Sequence, residues 1–423
     1  MPKFLHKKND SINSNEFHSQ KIQQTSVLYG AMLIGICLGF GVSIINTRLL
    51  STEDFGKFKF IQQLFALMAT VFSFGFTYSA GTLIARTKMI LHRDLIGATA
   101  IIYFIISLAS ACTILLLASV IDKLFETNVA YYIRQVSPFI FVSFFTIVIE
   151  NLFQGSNKIY SLAFFRIAPQ FLYIAGSLVF IIFVGHFNLT TALLLNLGFA
   201  GIVTISMILS LKPRFAQFTK CLNDLWQENK MNGFQVYIGT LVSVAMAQLI
   251  GISLGYYANM ESVGYYSLAL TVTTPLQFIP MVIGTTQFKS FASRSSISPR
   301  VIWGAILPTV VTLIVFWLII ERVVGLVYSD RYLTVVPFAK ILSIGMVFHG
   351  LGGFFNRFLG AHGKGKEMRN AALSMGAIIL PGCIVLLPLY GALGGAIVMA
   401  LSSFIFFLTT FRYYKKFGAN FSD

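Results

Sequence analysis

Residues Arg48–Phe58 read RLLSTEDFGKF, a short polar stretch between two long apolar runs, and Met260–Tyr266 read MESVGYY. Glu53 and Gly56 align with Glu261 and Gly264 at one common offset, and Arg86 aligns with Arg294 at the same offset. The echo continues with little drift: Asn151 and Gly155 align with Asn356 and Gly360, and Gly185 aligns with Gly391. Such a series of matches is the mark of a duplicated half. In the opening stretch, Gly56 is expected to supply a tight turn and Glu53 to hydrogen-bond nearby backbone amides. Arg48 does not recur, because the same offset lands on Tyr256.

Composition sets the solvent of this duplicated chain. Hydrophobic residues make up 56% of its 423 residues, charged residues 11%, and mean hydropathy is +0.77. A soluble chain carries roughly 25% charged residues. Apolar runs recur along the whole length, each long enough to cross a hydrocarbon core about 30 Å thick. The predicted fold is therefore an all-α membrane protein of about twelve transmembrane helices in two six-helix lobes related by an internal repeat.

The helices are expected near 25–47, 60–84, 95–121, 138–154, 161–185, 191–211, 234–257, 267–291, 301–320, 337–356, 371–389 and 391–411. This divides the chain into an N-terminal tail (1–24), an N-lobe (25–211), a linker (212–233), a C-lobe (234–411) and a C-terminal tail (412–423). Both lobes have six spans and begin on one side, so the repeats are parallel and related by an axis along the membrane normal. No loop is long enough for a soluble domain.

The net charge of +16 resides in the gaps between spans rather than on one face, which argues against a nucleic-acid partner. Both tails and the gaps after even-numbered helices, with Lys289 at the inner end of the eighth helix, hold 22 Lys and Arg, against seven in the gaps after odd-numbered helices. The bias predicts both termini in the cytoplasm. The first 24 residues lack the apolar run and cleavage site of a signal peptide. In the linker, Phe215, Phe218, Leu222, Leu225 and Trp226 share one helical face, which reads as an interfacial amphipathic helix, or as a solvated connection. Four cysteines without CxxC spacing predict free thiols, with no disulfide and no metal site.

Enzyme signatures are lacking. There is no phosphate-cradling GxxxxGK[ST], no HExxH, and no GxSxG nucleophile elbow at a strand-to-helix turn, the one such string, Gly251–Gly255, lying inside the apolar span at 234–257. A transporter without its own ATPase is the expectation, with no cofactor. What carries chemistry is the set of polar groups in or beside the hydrocarbon, where each is costly unless it faces a wet cavity or a partner. Glu150 and Arg166 flank a hairpin at similar depth and can pair. Either they form a buried ion pair, or Glu150 couples transport to an ion and Arg166 faces an anionic substrate. Arg48, Arg86, Lys289 and Arg294 stand at helix ends in both halves; singly they snorkel to head groups, and together they could ring a cavity for a phosphate-bearing substrate. Lys340, Arg357 and Arg369 are weaker members of that set. Gln248 and Gln277 are the candidate polar linings, with Gln170 and Asn196 behind them, and each could instead bridge two helices. Tyr78, Tyr103 and Tyr173 are candidates for stacking on sugar.

The first helix ending in RLL, the STEDFGKF that follows, Gly75-Phe76 and Ala85-Arg86 closing the second, NRFLGAHGK from Asn356 and YGALGGAIVMALS from Tyr390 together resemble Wzx-type flippases. These belong to the multidrug/oligosaccharidyl-lipid/polysaccharide exporter superfamily. The resemblance implies a V-shaped pair of lobes in the bacterial inner membrane. It implies transport of undecaprenyl-pyrophosphate-linked oligosaccharide, for O-antigen lipopolysaccharide or a related surface polysaccharide, by alternating access coupled to a proton or cation. It also implies membrane lipid, a polysaccharide polymerase and a chain-length regulator as partners. Cationic cavity residues of that family map onto Arg48, Arg86, Lys289 and Arg294. Two other readings stay open: a multidrug or organic-cation antiporter, which wants buried carboxylates, and a membrane-embedded glycan polymerase or transferase, for which Glu53-Asp54 is the candidate pair.

Overall fold

A computed structural model describes residues 14–87 and 89–419; the side chains of residues 14–26, 28–29, 89–90, 243, 289 and 418–419 lie outside that description. All regular structure among the described residues is helical. In chain order the first half contains α1 (Ser14–Leu49), α2 (Thr52–Val71), α3 (Phe76–Arg86), α4 (Met89–Phe125), α5 (Ala130–Val136), α6 (Phe141–Gly155), α7 (Ile159–Val184) and α8 (Leu189–Ser210). A short α9 (Phe218–Glu228) follows. The second half contains α10 (Phe234–Thr240), α11 (Met246–Tyr257), α12 (Met260–Thr273), α13 (Pro275–Thr286), α14 (Phe288–Ala292), α15 (Pro299–Val323), α16 (Val335–Ala361) and α17 (Gly365–Ala419).

Eight helices are long and apolar enough to cross a membrane, and ten if the bent pairs α2–α3 and α12–α13 each count as one span. Two further passes follow from geometry. The 55 residues of α17 would run about 80 Å at 1.5 Å per residue, far more than a bilayer. Gly391, at φ 52° and ψ −129°, breaks the helix near its middle, a conformation that glycine adopts without a Cβ clash. The helix formed by α10, a π-helical turn at 241–245 and α11 is the other pass. Twelve spans fit the chain.

Helices α1–α8 pack chiefly among themselves, as do α10–α17, and the two sets meet mainly where α2 lies along α12 and α11. That meeting is built on the repeat. Gly56 and Gly264 face each other: a Cβ at Gly56 would sit 1.7 Å from the Met260 carbonyl oxygen, and one at Gly264 would sit 3.1 Å from the Thr52 carbonyl oxygen. Met260 is the repeat counterpart of Thr52, so the contact is nearly reciprocal across a local two-fold axis. Gly56 lies inside α2, fully enclosed, and so serves close helix crossing; the tight turn expected from the sequence is absent. Thr52 Oγ1 donates to Glu261 Oε1 at the same place. Glu53 pairs with Lys57 at 2.7 Å on its own helix and holds no backbone amide among the described residues.

Ser51 explains where α2 starts. Its side chain accepts from Asp54 N at 3.0 Å, and Glu53 and Asp54 occupy the first turn, where carboxylates favour the helix dipole. The helix therefore begins eight residues before the predicted boundary.

Between the halves, α9 sits on the face that carries the turns after α6 and α16, called here the linker face. Cys221, Leu225 and Glu228 are buried, while Leu222 and Trp226 are exposed. The stripe predicted as one apolar face is thus divided between the protein and the surroundings. Burial pushes the Cys221 thiol above its ordinary pKa, with Asp94 adding to the effect. The approach to α9 is pinned to α4, with Arg93 Nε donating to Lys212 O at 2.8 Å and Ala216 N donating to Asp94 Oδ1 at 3.2 Å.

Candidate functional site

Two cavities neighbour each other, one on the seam between the halves and one within the second half. The smaller, about 370 Å³, is walled by the middle of α1, by Lys59 and Gln62 of α2, by Gln170 of α7, Asn196 of α8, and by the α12–α13 bend. The larger, about 1260 Å³, lies within the second half among α10–α13, α16 and α17, and reaches the linker face at Lys366 and Arg369. Thr274 lines both, so the two meet where α12 and α13 bend by 41°.

Lys59 falls two turns inside α2 because Ser51 starts that helix early. Its ammonium nitrogen lies 5.6 Å from the Phe55 ring centroid and 5.9 Å from that of Phe58, both rings being fully buried. Among the described residues it has no carboxylate partner. Aromatic faces hold a cation with modest strength, leaving its charge available to the cavity. Gln62 Nε2 donates to Asn196 Oδ1 at 3.0 Å across the same wall, and the buried Gln170 Oε1 has no hydrogen-bond partner among the described residues.

In the larger cavity Gln277 of α13 faces His349 and Asn356 of α16. The last two are seven residues apart, which places them two turns apart on one face. Gly350 lets α13 approach α16 closely, since a Cβ there would lie 2.6 Å from the Gln277 carbonyl oxygen. Taken together, the described linings present Lys59, Lys366 and Arg369 and not one Asp or Glu.

The residues singled out from the sequence are placed differently. Arg48 stands on the face opposite the linker, donating to Val327 O at 2.9 Å and to Leu326 O in the other half, while Arg331 donates to Thr47 O at 2.7 Å. Arg48 thus satisfies carbonyls at the end of the helix that precedes Arg331, Arg331 satisfies one at the end of α1, and Arg48 lines neither cavity. Arg86 reaches Glu228 of α9 at 3.6 Å with its own side chain largely exposed. Arg294 is exposed, and its carbonyl meets His362 Nε2 at 3.1 Å. The side chain of Lys289 lies outside the described residues. Glu150 and Arg166 pair at 3.0 Å, each one-third exposed. Gln277 lines the larger cavity and Gln248 does not. Tyr103 and Tyr173 are enclosed and spend their hydroxyls on Ser73 O and Asn46 Oδ1, and Tyr78 donates to Thr240, so these rings are structural.

Lys59, Gln62, His349 and Lys366 were not singled out. The first carried a readable signal, the S-T-E-D helix start that moves Lys59 from a loop into a span. The others have none in a single sequence, because helices apolar all round do not reveal which face is inward.

The fold has known relatives. The lipid II flippase MurJ in an inward closed conformation matches with a TM-score of 0.72 at 15% identity, over 93% of this chain and 90% of that one. An inward-facing multidrug resistance transporter of the MATE family, in the MOP superfamily, matches with a TM-score of 0.66 at 12% identity, over 91% and 94%. At such identities the likeness shows the fold, one shared by membrane flippases and transporters. An uncharacterized membrane protein of Methanocaldococcus jannaschii is 23% identical over 306 residues, and the chain spans 56% of that relative. Residues 22–288, more than half of the chain, match the family described as polysaccharide biosynthesis protein. This is a multi-pass membrane protein, and it belongs to the polysaccharide biosynthesis protein family.

Proposed function

We propose that the protein is a flippase that moves undecaprenyl-pyrophosphate-linked oligosaccharide, the unit of an O-antigen or related surface polysaccharide, across the bacterial inner membrane. The observation that carries this reading is the charge of the two neighbouring cavities: Lys59, Lys366 and Arg369, with no carboxylate in the described linings. An anion is the ligand such a lining suits. A lipid pyrophosphate brings charge and acceptor oxygens that ammonium and guanidinium groups satisfy. An exporter of organic cations would want carboxylates where this lining has none, so the multidrug reading is disfavoured. In the Glu53-Asp54 pair considered for a transferase, Glu53 is spent on an ion pair with Lys57 and both carboxylates stand in the first turn of α2, where they favour the helix dipole, which weakens that reading.

In this reading the linker face is cytoplasmic, in keeping with the Lys and Arg bias. The larger cavity then opens to the cytoplasm, and the Gly56–Gly264 crossing closes the periplasmic side. Substrate is loaded from the cytoplasmic leaflet, its phosphates meet Lys59, and its prenyl chain stays in lipid. A polysaccharide polymerase and a chain-length regulator act on the delivered units.

The test is surface glycan display in cells whose only copy of the gene is altered. Lys59→Ala is expected to cut display at least tenfold at normal protein level, with lipid-linked units accumulating, while Lys59→Arg retains most of it. A charged hydrogen bond contributes about 1.5–3 kcal/mol, in line with a loss of that size. Undiminished display in Lys59→Ala would overturn the anionic-cavity reading.

A further inference from the structure

The two cavities differ in chemistry as well as in size. The smaller holds a half-buried cation, whereas the inner wall of the larger is neutral. Gln277, His349 and Asn356 project into it beside Phe406 and four methionines, and its two cations stand at the linker-face mouth. Both Lys366 and Arg369 are exposed there.

Two of the inner groups are unmet. Nδ1 of His349 and Oδ1 of Asn356 are shielded from water and have no hydrogen-bond partner among the described residues. Leaving such atoms unpaired is unfavourable, and both belong to side chains whose terminal torsion is soft and can turn toward the cavity. The His349 ring is held by a stack on Phe406, with centroids 5.3 Å apart and planes at 25°.

Amide and imidazole groups each donate and accept. That is the pattern of a hydroxyl-rich, uncharged ligand. The methionines offer a flexible apolar wall for C–H faces, and the volume exceeds the roughly 300–1,000 Å³ usual for one small molecule. A phosphate has no donors and would leave the acceptors in this wall unmet. An organic cation would find no carboxylate.

We propose that the larger cavity is a carbohydrate subsite. Gln277, His349 and Asn356 hydrogen-bond the sugars of a lipid-linked glycan while Lys59, across the shared wall at Thr274, holds its phosphates. This rests on the flippase reading above and adds the direction in which the substrate lies: phosphate against the first half, glycan within the second.

The test measures binding by the full-length protein in lipid nanodiscs. The probes are undecaprenyl pyrophosphate without sugar, and the lipid-linked oligosaccharide fraction purified from the producing cells. The wild-type protein is expected to bind the glycan-bearing probe at least tenfold more tightly than the bare one. His349→Leu and Asn356→Leu should each erase most of that preference while leaving affinity for bare undecaprenyl pyrophosphate within twofold, which also shows that the variants are folded. Gln277→Leu, on the facing helix, should do the same and serves if the α16 variants do not fold. Lys59→Ala should weaken both probes alike. Equal wild-type affinity for the two probes, or a preference that survives the leucine variants, overturns the subsite and leaves the flippase reading standing. Failure of the wild-type protein to bind either probe overturns both.

Discussion

Replacing Gly56 with alanine would place a carbon 1.7 Å from the Met260 carbonyl oxygen and 2.5 Å from its carbon. Carbon–oxygen contacts settle at about 3.3–3.6 Å, so α2 and α12 would have to separate there by about 1.6–1.9 Å. The obstacle is backbone on both sides, and no rotamer change relieves it. Overpacking of this kind costs about 1–3 kcal/mol, and here it weighs on the conformation in which the two helices cross. A bias of that size changes a two-state ratio by about 5- to 150-fold. The counterpart, Gly264→Ala, meets its nearest atoms at 3.1–3.3 Å and needs only a few tenths of an ångström, so its effect should be much smaller. The assay is cross-linking of Thr52→Cys to Glu261→Cys with a short thiol-reactive reagent, in protein from which Cys37, Cys112, Cys221 and Cys383 have been replaced. Adding Gly56→Ala should lower the yield several-fold, adding Gly264→Ala only slightly, and surface glycan display should follow the same order. If Gly56→Ala leaves the protein folded and cross-links as readily as its parent, the crossing is not a closed contact and the reasoning fails.

Two further predictions concern charges outside the cavities. Arg86→Ala and Arg294→Ala should each leave glycan display within about twofold of normal, because Arg86 is largely exposed beside Glu228 and Arg294 faces outward; a tenfold loss in either would mean that it meets substrate at another stage of the cycle. Glu150→Gln with Arg166→Gln removes the one-third-exposed ion pair as a unit and should lower thermal stability by no more than about 1 kcal/mol while transport persists, whereas abolished transport in the double variant would restore Glu150 as an ion-coupling group.

Much of this architecture is legible in the sequence because hydrocarbon imposes simple rules. Apolar length locates the spans, Gly391 marks the break between the last two, and the Glu150–Arg166 pair follows from its symmetric placement about a hairpin. The site is less legible. Arg48, Arg86 and Arg294 attract attention because cations near a bilayer are conspicuous, yet Arg48 is spent on carbonyls of the other half, Arg86 reaches Glu228, and Arg294 lines neither cavity. Lys59 is easy to miss when α2 is assumed to start where the apolar run becomes unbroken. Its N-cap, Ser51, is the correction. His349 and Asn356 carry no comparable mark, since only the packing of α16 against α13 and α17 turns them toward a cavity.

The repeat itself sorts these residues. Of the residues that recur at one offset, Gly56 with Gly264 and Glu53 with Glu261 gather at the axis between the halves, where a symmetric contact is what duplication can build. The cavity groups do not share that fate. At the same offset Lys59 becomes Ser267, which receives Gln63 Nε2 at 3.1 Å and so serves packing. Asn356 has Asn151 as its counterpart, yet Asn151 turns its amide onto Ile147 O at 2.9 Å within its own helix, whereas Asn356 lines a cavity with an unmet oxygen. A symmetric pair of lobes would offer two equal sites. This pair offers one pocket with a cation in its wall and one whose inner wall is neutral and hydrogen-bonding, meeting at Thr274, which is the asymmetry required to hold in one orientation a molecule whose two ends differ in charge and polarity.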